Sequence, residues 1–161
     1  MDELRLLPRL AVAFVLGIAL GVERERRGKP AGLRTHVLVC LSTATLMAAA
    51  ELLQDRDGAI VGDPTRMAQG ILTGIGFIGA GTIVRQRNMV TGITTAATIW
   101  LTAATGMMAG AGLYVLALAI TVLAVLALDG LEWLVARVRP AGPSRAVQQE
   151  PDIELEPPRD E

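Results

Sequence analysis

The sequence is poor in the residues that most catalytic and metal sites use. Its 161 residues include one cysteine, one histidine and 3% aromatic residues. Cys40 cannot form an internal disulfide, and in its apolar run we expect it to act as a small filler. No nucleophile–base pair, no cluster of histidines or cysteines and no P-loop lysine is apparent. These absences exclude an ATPase, and we expect a protein that is not an enzyme and has no cofactor.

Carboxylates are absent from the middle of the chain, between Pro64 and Leu128. The segment GIGFIG, Gly74 to Gly79, has the glycine spacing of a dinucleotide-binding loop. That motif follows a strand and has an acidic residue about twenty positions further on. Here the corresponding position is Ile99, and the preceding MAQGILT is not a strand pattern. We expect neither nucleotide nor nucleic acid to bind, so the glycines need another explanation.

Apolar residues are abundant and occur in blocks. They make up 52% of the chain, and the mean hydropathy is +0.46, which is too apolar for a soluble domain of this size. A membrane span needs about 20 such residues and must be helical to satisfy its own backbone. Residues 1–139 therefore predict an all-α integral membrane protein, a bundle of five transmembrane helices. The blocks are Leu6–Val22, Leu33–Leu53, Met67–Val84, Ile93–Ala111 and Leu113–Leu134.

The basic residues predict the orientation of this bundle. The first connection, ERERRGKPAG with Arg34, holds five basic residues against two acidic ones. Arg85 and Arg87 follow the third block, and Arg137 and Arg139 end the fifth. The positive-inside rule places these regions in the cytoplasm and the N-terminus outside. The N-terminus lacks the features of a signal peptide, so we expect a multi-pass protein of the bacterial inner membrane.

Residues 140–161 differ in composition from the rest. They contain five of the eight prolines and six acidic residues against two arginines. Such a segment cannot bury enough apolar surface to fold. It predicts a disordered, acidic cytoplasmic tail.

Glycine spacing predicts how the helices associate. Small residues four apart let helices in lipid approach closely, and three such pairs occur: Gly17 with Gly21, Gly70 with Gly74, and Gly106 with Gly110. The third block is small on nearly every face, so we expect it in the middle of the bundle. Alternatively, the run from Gly74 to Gly81 breaks the helix and lines an ion or substrate path.

The fourth block carries threonines at intervals of three or four, which places five hydroxyls on one helical face. Such a stripe predicts a mildly polar helix interface or one wall of a hydrated path, with Thr95 and Trp100 off the stripe. Its members are Thr91, Thr94, Thr98, Thr102 and Thr105.

Several charged residues have both a structural and a functional interpretation. Glu51 and Asp129 lie in apolar blocks, where acids are functional candidates, but both are near an end. Asp63 precedes Pro64, which is typical of a helix N-cap. The alternative is that Asp63 joins Asp55 and Asp57 in a hydrated magnesium site.

The first connection has its own pairing pattern. Glu23 can pair with Arg26 or Arg27 on a helix end, which leaves Arg24, Lys29 and Arg34 for lipid phosphates or a partner. His36, the single histidine, is expected to be a hydrogen-bonded structural residue.

Three stretches resemble the MgtC/SapB family of bacterial inner-membrane proteins. They are GVERERRGKPAGLRTHVLV, DPTRMAQGILTGIGFIGAGTIVR and VTGITTAATIWLTAATGMMAGAG, in this order, and the resemblance covers about Leu10 to Leu128. It implies a five-span protein linked to adaptation to magnesium limitation and to ion and ATP homeostasis. It also implies action on other membrane proteins, including the ATP synthase, and the small-residue faces predict a homo-oligomer. The alternative function is a small oligomeric magnesium or proton transporter or channel using the third helix.

The resemblance also marks individual positions. They are Glu23, Arg24, Gly32, Leu33, Arg34, Thr35, Asp63, Arg66, Gly74, Gly76, Gly79, Gly81, Arg85, Gly92, Thr95, Ala96, Ala97 and Trp100. Virulence-type members have Glu where this chain has Gln86 and Asn where it has Thr94. They also continue into an ACT-like domain, so the chain is similar to the short branch of the family.

Overall fold

The computed structural model describes residues 3–57, 63–86 and 89–138. Within these residues the chain forms five α-helices and two short strands, preceded by a 3₁₀ turn at Glu3–Leu6. The helices are α1 (Leu7–Arg26), α2 (Leu33–Asp57), α3 (Pro64–Gly81), α4 (Ile93–Gly110) and α5 (Tyr114–Val138), and the strands are β1 (Val84–Gln86) and β2 (Met89–Thr91). Each helix overlaps one predicted apolar block, although the third block was predicted to run to Val84, which lies in β1. The predicted tail, residues 140–161, lies outside the described residues.

Helices α2 and α4 form the centre of the bundle. Helix α1 packs on α2 and α4, α3 packs mainly on α4, and α5 packs on α4 and α1. One core cluster, built largely of small residues, joins α1, α2, α4 and α5, whereas a second joins α3 to α4. The first consists of Ala13, Leu16, Cys40, Ala44, Ala109 and Ala117, and the second of Ala31, Ile71, Ile75, Ile99, Ala103 and Met107.

Glycines bring α1 and α4 into backbone contact with α2, as the spacing predicts. A Cβ added at Gly21 would lie 2.7 Å from the Cα of Leu33. One added at Gly110 would lie 2.8 Å from the Cα of Ala44. Real Cβ atoms do not approach backbone so closely, so only glycine permits these helix separations. Cys40 is fully buried on α2 beside Gly17 and Gly106, which agrees with its expected role as a filler.

Two predictions for α3 are wrong. The helix is continuous to Gly81, so the break that an ion path would need is not formed. It also lies at the edge of the bundle, because its buried residues form a single stripe of Ile71, Ile75 and Gly79. A Cβ added at Gly74 would meet nothing within 4 Å, and the same is true at Gly70, Gly76 and Gly81. The glycines leave one side of α3 open to the surroundings of the protein.

The all-α prediction is wrong for the connection between α3 and α4. There β1 and β2 form an antiparallel hairpin in which Arg85 is opposite Val90. The strands have three residues each, which is too short for an alternating pattern to be recognised in the sequence. The hairpin matters because it forms one wall of the site described below.

Two of the described helices are long and apolar enough to cross a bilayer. They cover Leu4–Arg26 and Leu33–Leu53, and Tyr114–Gly130 is a shorter apolar helix. Large apolar side chains point outward on several helices. Phe77 is 85% exposed on α3 and Val115 is 82% exposed on α5. Small residues inside and large apolar residues outside are the arrangement expected of a protein surrounded by lipid.

Candidate functional site

The principal cavity lies at one end of the bundle and has a volume of about 820 Å³. Its walls come from the end of α1, the α1–α2 loop, the start of α2, the end of α3, the hairpin and the start of α4. Five of the residues marked by the family resemblance line it, although they are far apart in the sequence. They are Arg24, Thr35, Gly81, Gly92 and Thr95.

Arg24 is buried in the wall of this cavity and is only 2% exposed. Its Nη2 donates a hydrogen bond of 3.4 Å to Oγ1 of Thr95 on α4. Its Nη1 lies 3.8 Å from a carboxylate oxygen of Glu23, and its Nε has no hydrogen-bond partner within the described ranges. The helix turns this side chain inward against α4, so Arg24 is a wall residue of the cavity and not an exposed surface residue.

Glu23 is also buried, and its partner is the predicted Arg27. The Nε of Arg27 lies 2.6 Å from Oε1 of Glu23, one helical turn away on α1. Arg27 also pairs with Asp129 on α5. At the other end of the bundle, Nη2 of Arg9 donates to Glu51 at 3.0 Å. Both acids that were candidates for an intramembrane function are therefore in ion pairs between helices.

The α1–α2 loop places Lys29 at the cavity. Gly28 has a φ of 60°, which glycine tolerates best. The N–H of Lys29 then donates to the carbonyl of Arg24 at 3.1 Å. Sequence reasoning missed the role of Glu25, whose carboxylate accepts from the N–H of Leu33 at 2.9 Å and caps α2. A Glu eight residues ahead of a helix start is not a recognised capping pattern, so no sequence signal could have found it.

Gly92 shapes the opposite wall. Its φ is +88°, and an added Cβ would lie 2.8 Å from the carbonyl carbon of Thr82. The residue is the N-cap of α4 and has no side chain to cap it. The first helical hydrogen bond runs from the N–H of Ala96 to the carbonyl of Gly92, at 2.9 Å. The N-terminus of α4, with Thr94 and Thr95, therefore opens directly into the cavity.

The charged side chains that line the cavity are all basic. They are Arg24 and Lys29, and no carboxylate is among the lining residues that the structure describes. His36 is fully buried nearby. Its Nδ1 lies 2.9 Å from the carbonyl oxygen of Gly32, and its Nε2 has no hydrogen-bond partner in the described part of the chain. This agrees with the expected structural role of the histidine.

The threonine stripe of α4 differs from the prediction in its first members. Thr91 lies in β2 and Thr94 is exposed, whereas Thr95 is buried. Thr98, Thr102 and Thr105 are buried and donate to carbonyls one turn back. Their hydroxyls are satisfied within the helix, so the stripe is a packed helix interface and not a hydrated wall.

The other marked residues lie elsewhere. Arg34 lines a separate cavity of about 580 Å³ with Glu25 and Gly32. Arg66 and Gly74 line an apolar groove of about 370 Å³ between α2 and α3. Gly79 faces α4, and a Cβ added there would lie 3.7 Å from the Cβ of Ala96. The remaining residues are exposed and line none of these cavities: Gly76, Arg85, Ala97 and Trp100.

Asp63 is a helix cap, as the sequence predicts. Its carboxylate accepts from the N–H of Thr65 at 2.8 Å and from the hydroxyl of Thr65 at 2.7 Å. These hydrogen bonds hold the pKa of Asp63 below its ordinary value. The described residues contain no group of three His, Cys, Asp or Glu side chains that could hold a metal ion. The side chains of Asp55 and Asp57 lie outside the described part.

Comparison with known proteins gives a consistent result. The family model described as the MgtC family matches residues 10–137. YhiD of Escherichia coli K12 is 42% identical over 136 residues, which cover 81% of this chain and 62% of YhiD. SapB of Bacillus subtilis 168 is 36% identical over 154 residues, 93% of this chain and 64% of SapB. MgtC of Brucella abortus 2308 is 45% identical over 104 residues, 65% of this chain and 42% of that protein.

The chain thus spans less than two thirds of the length of each of these relatives. No solved structure matches it. The family model covers most of the chain, including every wall of the basic cavity. On this evidence the chain belongs to the MgtC family, as the three sequence blocks predicted.

Proposed function

We propose that this chain is a five-span inner-membrane protein that takes part in magnesium handling without catalysis, by acting on other membrane proteins. Its N-terminus would lie on the outer side of that membrane and its C-terminus in the cytoplasm. Membership of the MgtC family supports the magnesium role, as does the name of YhiD, which assigns that relative provisionally to magnesium transport. The ATP synthase is the partner that the family resemblance implies.

The orientation agrees with the charges. The basic end of the bundle holds Arg24, Arg26, Arg27 and Lys29, together with Arg34. Under the positive-inside rule this end faces the cytoplasm. The basic cavity would then open toward the cytoplasm.

The charge of the cavity is the observation that favours regulation over conduction. Mg²⁺ is bound through oxygen ligands, chiefly carboxylates and phosphates. Arg24 and Lys29 line the cavity and would repel a divalent cation at its mouth. Helix α3 is unbroken and the buried threonines of α4 are bonded within the helix, so neither offers a polar path across the bundle.

The open side of α3 supports action through helix contacts. Gly70, Gly74 and Gly81 have free space where a side chain would be. A helix of another membrane protein, or of a second copy, could approach the backbone there as α2 approaches Gly21 and Gly110. We propose a homo-oligomer or a complex formed through this side.

Two measurements test the proposal. Purified protein in liposomes should give no Mg²⁺ flux above empty liposomes across an imposed gradient. Flux well above that background would refute the regulatory function and favour the transporter alternative.

Cross-linking in cells tests the contact. Gly74→Cys places a thiol on the open side, Val115→Cys places one on the exposed part of α5, and the native Cys40 is buried. We expect adducts with a membrane protein or a second copy from Gly74→Cys and none from Val115→Cys. Equal adducts from both, or none from either, would contradict the proposed interface.

A further inference from the structure

We propose that the basic cavity binds a phosphate-class oxyanion, either free phosphate or the phosphate of an anionic lipid headgroup. The ligand would lie between the side chain of Arg24 and the N-terminus of α4. This inference does not depend on the role in magnesium handling.

The N-terminus of α4 supplies the first part of the site. The N–H groups of the first helical turn have no carbonyl partner within the helix, and the helix dipole adds partial positive charge there. Gly92 has no side chain that could cap these groups. Ile93, Thr94 and Thr95 all line the cavity, so this end is placed to receive an anion.

Arg24 supplies the second and independent part. A guanidinium that is 2% exposed should have its donors satisfied. Yet its Nε has no hydrogen-bond partner among the described residues, and its contact with Thr95 is long, at 3.4 Å. Because the Arg24 side chain lines the cavity, an anion there would compensate its buried charge.

Arg24 has no close carboxylate among the described residues. The nearest carboxylate oxygen, on Glu23, lies 3.8 Å from its Nη1, whereas the Nε of Arg27 lies 2.6 Å from the other oxygen of Glu23, and neither oxygen has a partner with hydrogen-bond geometry in the described part of the chain. Lys29 adds a second positive charge at the cavity. Thr35 and Thr94 also line the cavity, and their hydroxyls can donate to phosphate oxygens.

The two sources of phosphate are distinguished by the surrounding lipid. Full-length protein would be placed in nanodiscs of phosphatidylcholine alone and in nanodiscs containing phosphatidylglycerol. Thermal unfolding would be measured in each, with and without inorganic phosphate. Stabilisation by phosphate in neutral nanodiscs indicates the free anion, whereas stabilisation by phosphatidylglycerol alone indicates the headgroup.

Variants decide whether the effect comes from this cavity. Lys29→Gln removes a charge from an exposed position and should fold normally. We expect it to weaken the apparent affinity about tenfold, as for the loss of one charge-assisted contact. Arg24→Gln should abolish stabilisation by the anion. If Arg24→Gln does not fold, Thr94→Val tests the contribution of the α4 N-terminus. Arg26→Gln is the matched control, because Arg26 is exposed in the same region and lines none of the cavities described.

The proposal is overturned by either of two results. One is that neither phosphate nor phosphatidylglycerol stabilises the protein. The other is that Lys29→Gln and Thr94→Val bind as the parent does, or lose no more affinity than Arg26→Gln, which would mean that surface charge alone attracts the anion.

Discussion

Replacing Gly110 by alanine tests the contact that joins α4 to the central helix α2. The added Cβ would lie 2.8 Å from the Cα of Ala44 and 2.9 Å from its carbonyl carbon. Carbon atoms in good contact are about 3.5–4.0 Å apart. The two helices would therefore have to separate by about 0.7 Å or more, and no side-chain rotation can relieve the overlap because both atoms are backbone.

The expected cost follows from this overlap. Overpacking of a well-packed core costs about 1–3 kcal/mol, whereas alanine is favoured over glycine in a helix by about 1 kcal/mol in water. We expect Gly110→Ala to lower the unfolding temperature by several degrees. The matched control is Gly74→Ala on the open side of α3, where the added Cβ meets nothing within 4 Å and stability should be unchanged or slightly raised.

Thermal unfolding in detergent, followed by size-exclusion chromatography of the heated samples, measures both variants against the parent. The reasoning fails if Gly110→Ala is as stable as the parent. It also fails if Gly74→Ala is destabilised to the same extent, because the loss would then be a general property of glycine positions and not of the contact with Ala44.

Two further predictions concern the ends of α3 and α4. Gly92→Ala should destabilise the protein, because its φ of +88° and the contact with Thr82 both exclude a Cβ. Gly28→Ala is the control, because Gly28 also has a positive φ but has open space around it. It should lower the unfolding temperature less in the same thermal assay. The cap formed by Asp63 should contribute stability at pH values above the unfolded pKa of about 3.9. That contribution should disappear as the pH falls through the lowered folded pKa, because the protonated group caps less well. Asp63→Asn should retain a cap and lose this pH dependence, and an unchanged acid profile in that variant would contradict the assignment.

The helices were predictable because each is a long apolar block, and the packing of α1 and α4 was predictable from their glycine pairs. The same logic failed for α3. A spacing of four shows that a helix can be approached closely, but not that another helix of the same chain does so. Gly70 and Gly74 have that spacing, yet both have open space. The pattern is equally suited to a partner outside the chain.

The cavity could be predicted only in part. The family resemblance marked Arg24 and Thr95, but nothing in the sequence indicates that residues 71 positions apart are in contact. The hairpin could not be predicted because its strands are short. Thr91 lies in β2 and therefore not on α4 with the predicted stripe. Glu25 was missed as a cap because it acts across a loop, on Leu33.

The position of Arg24 also distinguishes two explanations for the positive charges of the α1–α2 connection. A topology signal requires only that positive charge remain near the cytoplasmic interface. Arg26 meets that requirement while exposed. Burying Arg24 costs desolvation free energy, which membrane orientation does not require. The neighbouring Glu23 recovers only part of that cost, since it is bound more closely by Arg27. A ligand that binds Arg24 and the α4 N-terminus together would recover the rest, and this is the physical reason to expect an anion in the cavity.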